Sequence, residues 1–328
     1  MALVVRMHQH GGPDVLTFED LALPAPGPGE ARVRIEAIGL NRSEALFRSG
    51  RYPIKPALPC FVGYEAAGVV ESVGPGVNGF AAGDRVCVVP NFRLGDYGVY
   101  GEQATVPASS LLPAPAGLSA AQAAATWMQY LTAWAIVEAG RAGVGDHVLI
   151  PAASSSVGIA AIQIANWIGA TPIALTRTDA KVDALREQGA RHVVVTEGCD
   201  LATDVMRITG GRGGQVAFDP VGGPYVETLA DAMGEDGTII IYGSLSGQPT
   251  PYPHWPAAMK SLRLRGWVAS YVWNHPQRFE NVCRLVRQGL AEGHLKPVIA
   301  KTFPLREIAA AHAFLESNAQ VGKVVVTV

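Results

Sequence analysis

Small and hydroxyl-bearing residues form a short turn near the middle of the chain. The apolar run 147–150 (HVLI) precedes 152–156 (AASSS), after which apolar residues recur at helical spacing as far as Gly169. A second apolar run, 172–176, follows. Strand, small-residue turn, helix and strand in this order predict a βαβ unit. Such a turn presents backbone N–H groups at a helix N-terminus, where they can bind a pyrophosphate.

The turn itself contains little glycine. Serines stand where the dinucleotide-binding fingerprint prefers glycine. On the local pattern alone, an ordinary α/β crossover whose small residues serve packing is the alternative to nucleotide binding.

Basic residues follow the second strand of this unit. An acidic residue at this point binds the 2′-hydroxyl of NAD, whereas basic residues accept the 2′-phosphate of NADP. Here Thr176 is followed by Arg177 and Lys181, whose guanidinium fork and ammonium charge suit a phosphate. The sequence therefore predicts NADPH as the cofactor, held in part by Thr176, Arg177 and Lys181. For Lys181, a solvated helix face is the alternative interpretation.

Composition excludes several classes of protein. The chain has 328 residues, of which 48% are hydrophobic and 16% charged, and its net charge is −2. We therefore expect a packed globular enzyme that binds a small-molecule substrate, with no excess of basic residues for nucleic acid or a membrane surface. The four cysteines form no CxxC pair, which argues against a zinc cluster or a disulfide framework and suits a cytoplasmic protein.

The chain changes character near residue 121. Residues 1–121 contain short β-rich runs separated by Gly and Pro, which is typical of a barrel-like β domain. A helix-favouring stretch runs from 120 towards 138, and strands then alternate with helices, which predicts a doubly wound parallel sheet. The predicted strands are 147–150, 172–176, 192–195, 215–218, 238–242 and 262–267, and the predicted helices include 179–188, 224–233, 276–291 and 305–317. A terminal strand at 323–328 implies a return to the first domain.

The order of these parts resembles the medium-chain dehydrogenase/reductase superfamily. The resemblance covers nearly the whole chain and rests on 39–44 (GLNRSE), 63–70 (GYEAAGVV), 83–86 (GDRV), 131–134 (LTAW) and 322–326 (GKVVV), together with the serine turn. It implies an α/β protein in which a GroES-like β-barrel catalytic domain packs against a Rossmann domain, with the active site in the cleft between them. The implied domains are 1–121, an NADPH-binding domain at 122–270, and a return to the catalytic domain at 271–328.

The resemblance also identifies a branch of the superfamily. Its zinc alcohol dehydrogenases carry Cys where this chain has Asn41 and His where it has Tyr64, and a four-cysteine lobe where this chain has 92–101. Because Asn41 and Tyr64 cannot supply a Cys/His site, the chain is similar to the zinc-independent quinone oxidoreductases. That branch implies hydride transfer from NADPH to a quinone, an enone or a related activated alkene without a metal.

The resemblance further implies roles for individual residues. Asn41 and Tyr64, together with Tyr52 in 49–53 (SGRYP), face the substrate as hydrogen-bond donors to its oxygen. For each tyrosine, an aromatic wall that shapes the pocket is an equally good interpretation. Solvent could also provide the proton.

The resemblance also implies further contacts with the cofactor. Separately, it implies a homodimer formed through the edge strand at 262–267. Lys323 matches a position that reaches the phosphates, although an exposed strand charge is the simpler alternative. The implied cofactor-binding residues outside the basic strand end are Thr132, Ser155, Ser156, Val157, Gly158, Gly243, Ser244, Leu245 and Lys323.

Two other functions compete with the reductase. One is a crystallin-like protein that binds NADPH without turnover. The other is a zinc-type alcohol dehydrogenase, which the substitutions at the metal-ligand positions disfavour.

Overall fold

The computed structural model describes residues 1–328, and these form two compact units. The first unit comprises Met1–Met128 and Pro297–Val328, and the second comprises Gln129–Lys296. No helix in the structure is long and apolar enough to cross a bilayer.

Short strands dominate the first part of the first unit. Alternation in 30–39 places Val33 and Ile35 in the core and Arg34 towards solvent, as a half-buried strand requires. The elements are β1 (Ala2–Met7), β2 (Leu16–Leu21), β3 (Glu30–Gly39), α1 (Arg42–Arg48), β4 (Cys60–Phe61), β5 (Ala66–Val73), β6 (Arg85–Val88), β7 (Gln103–Pro107), β8 (Leu111–Pro113) and α2 (Ala120–Ala124).

Helices and strands alternate in the second unit, beyond the junction at residue 128. The elements are α3 (Trp127–Ala133), α4 (Ala135–Glu138), β9 (His147–Ile150), α5 (Ser156–Trp167), β10 (Thr171–Thr176), α6 (Val182–Glu187), β11 (His192–Val195), α7 (Leu201–Thr209), β12 (Gly214–Asp219), α8 (Tyr225–Ala232), β13 (Met233–Ile241), α9 (His254–Lys260), β14 (Arg263–Gly266), α10 (Ser270–Trp273) and α11 (Pro276–Ala291). The strands pair in parallel in the order β11-β10-β9-β12-β13-β14. This is the doubly wound order of a dinucleotide-binding sheet, in which successive strands are added on one side of β9 as far as β11 and on its other side from β12 onwards, so the strand order reverses between β9 and β12.

The chain then returns to the first unit through β15 (Ile299–Pro304), α12 (Ile308–Glu316) and β16 (Lys323–Thr327). β16 pairs antiparallel with β3, and the seven-stranded sheet runs β15-β16-β3-β5-β6-β8 with β7 also on β3. A smaller sheet has the order β2-β1-β4.

The α/β fold class predicted from the sequence is confirmed, with a strand at each of the six predicted positions. The predicted helix from 120 to 138 differs, because it is divided into α2, α3 and α4. The first break follows Ala124, where the Thr126 hydroxyl bonds to the Gln122 carbonyl at 2.7 Å.

The ends of the compact units differ from the predicted divisions at 121/122 and 270/271. Helix α11 belongs to the second unit because it packs against helices of that unit. Arg278 pairs with Glu138 of α4, and Gly289 lies so close to α5 that an added Cβ would sit 3.0 Å from the Trp167 ring.

Candidate active site and dinucleotide site

The serine turn leads directly into α5 in the second unit. Ser155 is the N-cap residue, and its hydroxyl accepts the Gly158 N–H at 3.0 Å. Gly158 must lack a side chain, because a Cβ there would lie 2.6 Å from the Ala153 carbonyl oxygen. Ser156 and Val157 form the partly exposed first turn of α5. The predicted pyrophosphate turn thus lies at the carboxyl end of β9, at the reversal point of the sheet.

The two predicted phosphate cations lie close to each other beside this turn. The Lys181 ammonium donates to the Ser154 hydroxyl at 3.0 Å, so Lys181 reaches back from the end of β10 to the serine turn. Burial lowers the pKa of Lys181, and repulsion from Arg177 lowers it further. Lys181 therefore does not stand on a solvated helix face, and a bound phosphate would relieve the repulsion between the two cations.

One acidic residue in this region escaped the sequence analysis. Arg177, Thr178, Thr196 and Glu197 line a cavity of about 460 Å³. The parallel pairing of β10 with β11 brings them together, since the Glu197 N–H donates to the Arg177 carbonyl at 3.1 Å. In the sequence only the end of the second strand marks a 2′-phosphate site, whereas in the sheet the end of the third strand lies beside it.

The loops after β12 and β13 are bonded to each other at the same edge of the sheet. The Leu245 N–H donates to the Pro220 carbonyl at 3.0 Å, and Gly243 approaches Pro220 so closely that a Cβ would lie 2.5 Å from that oxygen. Ser244 and Leu245 are exposed there. Thr132 is buried in α3, and its predicted contact with the nicotinamide stays a prediction.

Two of the predicted catalytic residues, Tyr52 and Tyr64, form a pair of phenols in the first unit. Tyr64 is buried, and its hydroxyl interacts with that of Tyr52, which is partly exposed. Burial raises the pKa of both phenols above the usual value, and the neighbouring Tyr52 and Glu44 raise that of Tyr64 further. Both hydroxyls are thus protonated at neutral pH and can donate a hydrogen bond.

Asn41, the third predicted catalytic residue, is engaged inside the first unit. Its amide nitrogen donates to the Gly39 carbonyl at 3.0 Å and, over a long 3.5 Å, to Glu65. Its amide oxygen accepts from the Lys323 ammonium at 2.6 Å. Asn41 is also the N-cap residue of α1, so the side chain has several internal partners.

Lys323 forms a buried ion pair rather than an exposed charge. Its ammonium lies 2.6 Å from a carboxylate oxygen of Glu65, and the two side chains are 1% and 0% exposed. The other Glu65 oxygen accepts the Met128 N–H at 2.9 Å. The interpretation of Lys323 as an exposed strand charge is therefore wrong, and the implied contact with cofactor phosphates stays a prediction.

Glu44, Tyr100 and His312 form a buried chain of titratable groups that the sequence analysis missed. The Tyr100 hydroxyl lies 2.7 Å from Glu44 and 3.0 Å from Nε2 of His312. Burial raises the pKa of Glu44 to about 7 and lowers the pKa of His312 to about 3. The sequence 39–44 (GLNRSE) contains one indication of a role for Glu44. Glu44 is the third residue after the N-cap residue Asn41, the spacing of a capping box.

The residues at the family's metal-ligand positions do not fit a zinc site. Zinc is bound by Cys, His, Asp or Glu, and no three such side chains converge closely enough to bind a metal ion. Asn41 and Glu65 instead share the ammonium of Lys323, while Tyr64 presents a protonated phenol.

Comparison with known families agrees with this description of the two units. The model of the alcohol dehydrogenase GroES-like domain matches residues 27–116, and the model described as zinc-binding dehydrogenase matches residues 156–288. These matches define a two-domain oxidoreductase with a dinucleotide-binding unit.

Full-length relatives and solved structures narrow the class. The chain is 32% identical to a 2-haloacrylate reductase from a Burkholderia species, over 99% of this chain and 98% of that protein. It is 30% identical to the Escherichia coli quinone oxidoreductase solved in complex with NADPH, with a TM-score of 0.92 and full coverage of both chains. It is also 34% identical to a solved NAD-dependent alcohol dehydrogenase, with a TM-score of 0.88 and full coverage.

The chain belongs to the medium-chain dehydrogenase/reductase superfamily, in its quinone oxidoreductase branch. It is accordingly an oxidoreductase.

Proposed function

We propose that this protein reduces a quinone or an α,β-unsaturated carbonyl compound with NADPH and without a metal. The observation that carries the proposal is the cluster at the carboxyl edge of the parallel sheet. There Arg177 and Lys181 repel each other, and Lys181 contacts Ser154 of the turn that precedes α5. A 2′-phosphate suits the cations and a pyrophosphate suits the turn.

Apart from Lys323, the residues that would hold NADPH belong to the second unit. Ser155, Ser156, Val157 and Gly158 would hold the pyrophosphate, and Thr176, Arg177 and Lys181 would hold the 2′-phosphate. We propose that the site extends to the loop at 243–245 and to Thr132, which would lie near the nicotinamide. The relative from E. coli that was solved with NADPH supports this choice of cofactor.

Metal independence is supported by the donor set. The amide oxygen of Asn41 and the carboxylate of Glu65 already bind the Lys323 ammonium at 2.6 Å each. A metal ion would have to displace this buried cation, at the cost of breaking the ion pair. Substrate polarisation therefore falls to hydrogen-bond donors of the protein.

We propose Tyr52 as the principal donor, because its side chain is partly exposed whereas Tyr64 and Asn41 are buried. When NADPH is bound, the chemistry it supplies is a hydride from C4 of the nicotinamide. Negative charge then develops on the substrate oxygen, and a donor at that oxygen lowers the barrier. Because burial raises the pKa of Tyr52, its partly exposed hydroxyl stays protonated and can donate to the substrate oxygen. We propose that Tyr64 supports Tyr52, and that Asn41 shapes the site while its amide binds Lys323.

The substrate class follows from the same argument. A phenol is a weaker electrophile than a metal ion, so the easier target is a carbon that is already electron-poor. The names of the relatives, quinone oxidoreductase and 2-haloacrylate reductase, describe reductions of this kind.

A steady-state screen tests the proposal. NADPH and NADH are each offered with quinones, enones, a 2-haloacrylate and simple aldehydes, after dialysis against a chelator. We expect turnover with NADPH and the electron-poor substrates. Tight NADPH binding with no turnover on any of them would instead support a non-catalytic binding protein, and activity restored only by zinc would support an alcohol dehydrogenase.

A further inference from the structure

Glu44 binds three donors from separate parts of the first unit. Its side chain is 0% exposed. One carboxylate oxygen accepts the Asn41 N–H and the Tyr100 hydroxyl, each at 2.7 Å, and the other accepts the Tyr64 N–H at 2.8 Å. A buried carboxylate with three donors has no freedom to reorient without leaving one of them unsatisfied.

Helix α1, which carries Glu44, also holds Tyr52. The Tyr52 N–H donates to the Leu46 carbonyl at 3.1 Å, so the backbone at Tyr52 is attached to the end of α1. Glu44 near the start of the helix holds the backbone of Tyr64 through a contact across 20 residues of sequence. The two phenols thus have a common support in α1, and Glu44 is the side chain that joins Tyr64 to it.

We propose that Glu44 is a positioning residue, whose carboxylate fixes Tyr64 against helix α1 and so sets the distance between the hydroxyls of Tyr52 and Tyr64. This inference rests on the proposed function, in which those hydroxyls serve the substrate oxygen. The effect is indirect, since Glu44 is buried and contacts backbone N–H groups and Tyr100.

The charge state of Glu44 should change within the neutral range. Burial raises the pKa of Glu44 to about 7, while the Tyr100 hydroxyl, the two backbone donors and the Lys323 ammonium each oppose that rise. Behind Tyr100, His312 stays neutral because its pKa is lowered to about 3. Protonation of Glu44 weakens its oxygens as acceptors, so the fixation of Tyr64 should weaken below pH 7.

The test compares Glu44→Gln with the wild type. The amide keeps the size of the side chain but replaces one acceptor oxygen with a donor, so one of the three donors loses its partner. We expect kcat to fall about 10- to 100-fold with the Kd for NADPH unchanged, as for a misplaced catalytic group. We also expect the decline of wild-type kcat below pH 7 to be absent from the variant. Glu102→Gln, the same change in a carboxylate that binds only the Leu3 N–H, is the matched control and should leave both properties unchanged.

A second variant covers the case in which Glu44→Gln does not fold. Tyr100→Phe removes a donor that lowers the pKa of Glu44, so the acid limb of kcat should move to higher pH. Wild-type kcat and an unmoved acid limb in the variants would overturn the inference.

A structural readout separates this inference from the proposed function. Crystal structures of the wild type at pH values well below and well above 7 should differ in the distance between the Tyr52 and Tyr64 hydroxyls. An equal distance at both values would overturn the positioning role, whether or not the protein turns over a quinone. Conversely, a changed distance in a protein without turnover would refute only the proposed function.

Discussion

Replacing Arg177 with Ala should weaken the binding of NADPH far more than the binding of NADH. In the proposed site the guanidinium bonds to the 2′-phosphate, and hydrogen bonds to charged groups contribute about 1.5–3 kcal/mol. At about 1.4 kcal/mol per factor of ten, this corresponds to roughly a 10- to 150-fold rise in Kd for NADPH. Arg177 is exposed, so salt screens part of the attraction, and we expect the lower end of this range at physiological ionic strength.

Titration calorimetry or cofactor fluorescence measures both Kd values at low and at physiological salt. Glu197→Gln should lower the Kd for NADPH, because it removes a negative charge from the cavity that Arg177 lines. Arg186→Ala is the matched control, since Arg186 is an exposed arginine of α6 that pairs with Asp183. If Arg177→Ala weakens the binding of NADPH and of NADH equally, the proposed placement of the 2′-phosphate is refuted.

Four further predictions concern packing, charge and assembly. Gly158→Ala should weaken the binding of NADPH and of NADH by similar factors in titrations, because its Cβ would lie 2.6 Å from the Ala153 carbonyl oxygen in the turn. Lys323→Met should lower the free energy of unfolding by about 3–5 kcal/mol in denaturant titrations, since it leaves a buried carboxylate uncompensated. His312→Gln should remove about 2 kcal/mol of the stability that the wild type loses between pH 4.5 and 3. Because the pKa of His312 is lowered from 6.5 to about 3 in the folded state, its contribution to stability is lost progressively as pH falls between these values. Above pH 4.5 the raised pKa of Glu44, about 7, changes stability with the opposite sign, so the window from 4.5 to 3 isolates His312. Light scattering should give the mass of two chains. Trp255→Lys, which places a charge at a side chain 72% exposed on α9, should shift the measured mass towards that of one chain.

The sequence predicted the second unit well because the unit is built from local patterns. Each buried parallel strand is a short apolar run, and each crossover helix repeats apolar residues at its own period. Both patterns are complete within about thirty residues, so the serine turn and the basic strand end could be placed on one edge of the sheet. The division of 120–138 into three helices was missed, because helix propensity does not locate the breaks between consecutive short helices.

The polar network of the first unit could not be predicted in the same way. Lys323 meets Asn41 and Glu65 across separations of 282 and 258 residues, and Tyr100 meets His312 across 212. No periodicity reports such contacts, so Lys323 resembled an exposed strand charge. The family resemblance indicated which positions could act on a substrate, but the buried groups that contact them required the structure.

The most direct test of the central claim is a label-transfer experiment. The protein, dialysed against a chelator, is given NADPH that carries deuterium at both hydrogen positions of C4 of the dihydronicotinamide, together with an enone. The account predicts a saturated ketone with one deuterium on the carbon that was β to the carbonyl. Consumption of NADPH without label in the product, or reduction only after zinc is added, would contradict it.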